Sequence, residues 1–169
     1  MIAHQPNIDS KKYCPSCGTE VSLPELPTVE AEPVGIAKTI EDILKTLGKD
    51  VKLSREGNNV WSVKEGSARI KITYNPENYF IAGDAYLCQM PADATKIKPL
   101  YTFLLEENFR TRGLVLSCVK QNIVLSSIIY DLDMNKENGV GVFKNLFTKA
   151  DAYDDHLKNE FGCIDRLEE

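Results

Sequence analysis

Val60-Trp61-Ser62-Val63-Lys64-Glu65-Gly66-Ser67-Ala68-Arg69-Ile70-Lys71-Ile72-Thr73-Tyr74 carries the pattern on which the fold turns. From Arg69 onward polar and apolar residues alternate, which puts Ile70, Ile72 and Tyr74 on one face of a strand. Val60 to Val63 reads as a second strand and Lys64-Glu65-Gly66-Ser67 as the turn between them, so the stretch predicts a β-hairpin. Trp61, the only tryptophan, is expected in the core. Working outward, Asn75-Pro76-Glu77-Asn78 is a turn by composition, and Tyr79 to Leu87 predicts a third strand loosened by Gly83.

On either side the period becomes helical. Ile36, Ile40, Ile43, Leu44 and Leu47 recur at helical spacing and Gly48 ends them, which predicts a helix over 36–47 lying on the sheet. Asp93 or Thr95 can cap a second helix marked by Ile97, Leu100, Tyr101, Leu104, Leu105 and Asn108, with Pro99 expected in its first turn. Leu114–Val119 and Ile123–Leu132 predict a second hairpin across Lys120-Gln121-Asn122. A loop over Asn135–Gly141 is expected to lead into a last helix whose stripe is Phe143, Leu146, Phe147, Ala150, Leu157 and Phe161. The expected fold is α+β, in the order α-β-β-β-α-β-β-α, with helices packed against one antiparallel sheet.

The first 35 residues read differently. They hold five of the eight prolines and no helical or alternating period after Cys17. We read 1–18 as a knuckle resembling half a zinc ribbon, 19–35 as an acidic Pro-rich linker and 36–169 as the folded domain. The chain of 169 residues, 43% hydrophobic and 27% charged, has the size and composition of one globular domain.

Twenty basic against twenty-five acidic residues give a net charge of −5, which argues against affinity built on nucleic-acid phosphates and for polypeptide or small-molecule partners. The charge is uneven: residues 131–169 hold ten acids and five bases, whereas 36–130 are mildly basic. No apolar run approaches the ~20 residues a bilayer needs. Met1-Ile2-Ala3-His4-Gln5-Pro6 lacks the basic start and apolar core of a secretion signal, so a cytoplasmic address is expected, with the five cysteines reduced or metal-bound.

Cys14-Pro15-Ser16-Cys17-Gly18 is the strongest chemical motif. Two thiolates two residues apart can grip one tetrahedral zinc ion, and the glycine lets the chain turn behind the second sulfur. A closed site needs four ligands; His4, His156 or Cys163 within the chain, or the same pair from a second chain, could complete it. Cys88 and Cys118 read as small apolar residues on strands. His4 and His156 lie by no Cys or Ser in a nucleophile setting, and Asp151, Asp154 and Asp155 read as a solvated acidic helix face. Gly139 and Gly141 follow no strand of a βαβ unit and are a weak phosphate cradle.

As an ordered set, Gly66-Ser67-Ala68, Gly83-Asp84-Ala85-Tyr86-Leu87, Pro99 to Asn108 and the two apolar strands after it resemble the YbjN-like proteins, which share a fold superfamily with the type III secretion chaperones. The resemblance covers roughly residues 36–161. Its most distinctive part is the Leu104-Leu105-x-x-Asn108 ending of the second helix, followed by the hairpin and by a helix carrying Ala150-Asp151. It implies a small acidic bacterial cytoplasmic protein, often a homodimer, that binds a segment of another protein without doing chemistry. The added N-terminal Cys pair departs from a secretion chaperone and favours the broader YbjN-like branch. The reading is therefore a non-enzymatic, chaperone-like protein that holds a partner polypeptide on a sheet face, groove or free strand edge. The alternative is a zinc-dependent regulator or adaptor that uses Cys14 and Cys17.

Overall fold

A computed structural model describes residues 33–166. In order the elements are α1 (Gly35–Thr46), α2 (Val51–Ser54), β1 (Arg55–Gly57), β2 (Val60–Glu65), β3 (Ala68–Asn75), β4 (Phe80–Gln89), α3 (Ala94–Arg110), β5 (Val115–Val119), β6 (Asn122–Tyr130) and α4 (Lys136–Phe161). The strands form one six-stranded sheet in the order β1-β2-β3-β4-β6-β5, with every neighbouring pair antiparallel. The α+β class and the order of the main elements follow the expectation. Short α2 and β1 are additions between the first helix and the hairpin. The knuckle over 1–18 and nearly all of the linker over 19–35 lie outside the described residues.

The hairpin forms as the alternation dictates. Trp61 stands opposite Ile72 and Val63 opposite Ile70. Gly66 turns the chain at φ +55°, a left-handed conformation that glycine adopts without a Cβ clash. Trp61, Ile70, Ile72, Ile81, Ala85 and Leu125 are buried. The indole of Trp61 also finds a partner: its Nε1–H donates to Glu41 Oε1 of α1 at 3.2 Å, and Arg55 pairs with the same carboxylate through Nε at 3.0 Å. One buried acid thus ties α1 to the hairpin, with its charge compensated.

Helix α4 covers the inner face of the sheet, and its approach is set by a missing side chain. A Cβ on Gly83 of β4 would stand 2.7 Å from Leu146 Cδ2 and 3.2 Å from Ser127 Oγ. Gly83 is therefore a place of close approach, where the sequence pattern suggested only a loosened strand. Gly139 plays the same part between helices, because a Cβ there would collide with Ile43 of α1 and with Met134.

This corrects the loop expected over Asn135–Gly141. Asn135 is the N-cap of α4, its Oδ1 accepting from the Asn138 amide at 2.9 Å, and both glycines lie inside the helix. Glycine-rich composition looks like a loop, but here it serves packing. Pro99 is a second correction: α3 begins after Asp93, which caps Thr95 at 2.9 Å, so Pro99 falls beyond the first turn and removes one backbone bond.

Phe143 is fully buried in the first half of α4, whereas its neighbour Lys144 is exposed. Phe143→Ala is expected to cost about 3–5 kcal/mol and Lys144→Ala less than about 0.5 kcal/mol in urea unfolding. Equal midpoints for the two variants would overturn the assignment of the α4 face.

Candidate protein-binding surface

Helix α3 carries apolar residues on two sides. On its inner side Leu100 and Leu104 are buried, and the Phe103 ring lies 4.8 Å from His156, 5.2 Å from Phe161 and 6.4 Å from Tyr153, all on α4. The Tyr153 hydroxyl donates to Glu107 at 2.6 Å, and Arg110 adds a second bond to the same carboxylate at 2.6 Å. The bond from Tyr153, with that from Arg110, holds Glu107 below the usual carboxylate range. Burial, with the bond to Glu107, pushes the Tyr153 hydroxyl up.

The outer side is different. Tyr101, Leu105 and Phe109, spaced by four, form an exposed stripe in which Leu105 is 71% and Phe109 91% exposed. The stripe read from the sequence as one face is thus split, with Leu100 and Leu104 inside and Tyr101 and Leu105 outside. An apolar arc wider than the surface it covers leaves its margin to solvent.

A second group of exposed apolar side chains lies on the sheet face turned away from α4. Alternation along β6 puts Ile128 and Tyr130 there, opposite Ala82 and Phe80 of β4, and on β5 Val115 and Val119 share that face. Single exposed apolar residues are ordinary, whereas a contiguous group of them is not.

The edges of the sheet are less available. At the β5 edge the Asn108 side chain acts as a strand one residue long: its Nδ2 donates to the Leu116 carbonyl at 3.0 Å and its Oδ1 accepts from the Leu116 amide at 2.6 Å. The Thr111 hydroxyl donates to the Glu107 carbonyl at 2.8 Å and so closes the end of α3 rather than the strand. The opposite edge, β1, is three residues long, too short to template much pairing. A free strand edge, one of the three modes expected, is therefore closed at Leu116. The Leu104-Leu105-x-x-Asn108 signature gains a physical content: one residue packs inward, one faces out, and one seals the edge.

The remaining polar groups tie elements together. Asp154, expected on a solvated face, is buried on α4, where Ser67 of the β2–β3 turn donates to it and Lys158 pairs with it at 2.8 Å. Asp151 and Asp155 are exposed as expected. Lys158 also reaches Asp165 at 2.5 Å, fixing the segment after α4. There Ile164 and Gln89 exchange backbone bonds of 2.8 and 3.1 Å, so the tail adds to β4 where β3 has ended.

Cys88 and Cys163 are buried side by side, the Cys88 thiol donating to Cys163. That bond and burial push Cys88 up, while accepting the bond holds Cys163 lower. Cys118 is on β5 as expected but exposed, its sulfur 4.0 Å from that of Met90. Among the described residues no three His, Cys, Asp or Glu side chains are placed to hold a metal. Cys14, Cys17 and His4 lie outside the described residues.

Neither a family model nor a curated protein matches the chain. Solved structures do match in fold. The HopA1–SchA chaperone–effector complex aligns at TM-score 0.54 and 10% identity, over 73% of this chain and 99% of the other. The ExsC–ExsE complex aligns at 0.54 and 14%, over 70% and 90%. YbjN of E. coli aligns at 0.53 and 14%, over 75% and 93%. At these identities the likeness is one of fold alone, an α+β arrangement of one antiparallel sheet with helices packed on it.

Asn108→Ala leaves the Leu116 amide and carbonyl without their partner, and should cost about 1–3 kcal/mol in urea unfolding and raise concentration-dependent aggregation. A variant as stable and as soluble as the parent would show that the edge needs no seal.

Proposed function

We propose that the chain is a non-enzymatic, chaperone-like protein that holds a segment of a partner polypeptide on the open sheet face around Ile128 and Tyr130. One observation carries this: among the described residues, seven of the twelve exposed large apolar side chains fall in two groups, while the β5 edge is closed at Leu116 and the β1 edge is short. The fold shared with a chaperone–effector complex supports it. The second group, Tyr101, Leu105 and Phe109, supports a homodimer in which the α3 stripe of one copy covers that of another, leaving both sheet faces for partners. The buried acids Glu41 and Asp154 serve structure, since each is paired across elements. A cytoplasmic setting suits Cys88 and Cys163, which reducing conditions keep as adjacent thiols.

The test separates the two surfaces. Ile128→Asp should abolish capture of a partner from native lysate while keeping the mass in solution, and Leu105→Asp should halve that mass without unfolding the chain. Capture that survives Ile128→Asp contradicts the placement of the partner.

The zinc-dependent adaptor remains a second proposal, supported by the spacing of Cys14 and Cys17. With two copies per molecule, two such pairs supply the four ligands of a closed site. Elemental analysis should then find one zinc per two chains, lost in Cys14→Ser with the sheet domain still folded. One zinc per chain, or none, ends the shared site.

A further inference from the structure

The open sheet face is not uniformly apolar. At its other end, by Tyr86, a groove of about 400 Å³ is lined by Arg69, Lys71, Tyr86, Gln89, Asn122 and Arg166, with Glu56 at its side. Three cations and one carboxylate make the groove positive in a chain whose net charge is −5. Not all three cations are free. Arg69 pairs with Glu56 and donates to Ser62 at 3.0 Å, so it is a fixed part of the wall.

Lys71 and Arg166 pair with no carboxylate among the described residues. Lys71 stands opposite Asp84, whose carboxylate instead accepts from Ser126 at 2.6 Å. Arg166 lies over the Tyr86 ring at 5.5 Å, a placement that holds its guanidinium at the groove while leaving its in-plane donors available.

We propose that this groove takes an acidic stretch of an extended polypeptide, so that the segment held on the open face is acidic at one end and apolar at the other. The inference rests on the reading of that face as the partner surface. Charge complementarity selects carboxylates: two cations without a carboxylate partner among the described residues and an aromatic wall suit side chains of Glu or Asp. The size of the groove suits several residues, where a single small anion would fill little of it. The amides of Gln89 and Asn122 match a peptide backbone, which both donates and accepts. Asn122 Oδ1 is buried without a partner among the described residues, an acceptor that a peptide N–H meets once the amide turns.

The spacing agrees with one continuous segment. Along β4 the outward positions run Tyr86, Asp84, Ala82, Phe80, so roughly 20 Å separates the charged end from the apolar end at about 3.3 Å per residue. That is the reach of a peptide of some six or seven residues.

Fluorescein-labelled hexaglutamate is the probe, with hexaglutamine and citrate as controls, and anisotropy on the full chain as readout. Hexaglutamate should bind at least tenfold more tightly than hexaglutamine and weaken steeply with added salt. Lys71→Ala/Arg166→Ala should lose about tenfold in affinity with an unchanged circular dichroism spectrum. Equal affinity for the two peptides overturns the proposal, as does citrate competing as strongly as hexaglutamate, which would mark a small-anion site. Ile128→Asp tells the two readings apart: hexaglutamate binding persists in it if the groove acts by itself. Partner capture unaffected by Ile128→Asp overturns the partner surface, whereas intact capture with no hexaglutamate preference overturns only the acidic segment.

Discussion

The distance between α4 and the sheet is the constraint on which the rest of the structure depends. Leu146 lies against the backbone of β4 at Gly83, and Ile43 and Met134 lie against the backbone of α4 at Gly139. With side chains absent at these two points, one 26-residue helix can bury Phe143, Leu146, Phe147 and Ala150 against the sheet and still meet α1. Interiors packed to crystal density tolerate little adjustment at such points. Because α4 commits the inner face so completely, any function has to be built on what it leaves uncovered.

Polar ties then hold the smaller elements to this frame, each reaching from a helix to another element. Glu41 takes both Arg55 and the Trp61 indole. Glu107 joins α3 to α4 through Tyr153, and Asp154 joins α4 to the β2–β3 turn through Ser67. Asn108 closes the β5 edge. A six-stranded sheet with open edges would be a template for uncontrolled pairing, and Asn108 blunts the β5 edge at Leu116 while β1 is short.

Much of this was legible in the amino-acid order. The alternation of Arg69 to Tyr74 placed the hairpin, the start of α3 was narrowed to a cap at Asp93 or Thr95, and the apolar spacing of Phe143 to Phe161 marked the inner face of α4. What was not legible depends on contacts between distant residues. Gly139 looks like a loop glycine until Ile43 is known to lie against it, and Asp154 looks solvated until Ser67 and Lys158 are seen to enclose it. Short β1 exists because β2 offers it an edge, with a register shift between Arg55 and Gly57 that no local pattern announces. The binding groove was out of reach for the same reason, since Glu56, Lys71, Asn122 and Arg166 come from four separate parts of the chain. The split of the α3 stripe likewise depends on how much of the helix its neighbours cover.

The central claim is that a partner polypeptide lies on the open sheet face. Amide chemical-shift mapping of the isotope-labelled chain, with a captured partner segment added, tests it most directly. The largest shifts should fall on β4 from Phe80 to Gln89, on β5 and on β6, with α1 unmoved. Shifts confined to α1 and α2, with the β6 amides unchanged, would contradict it.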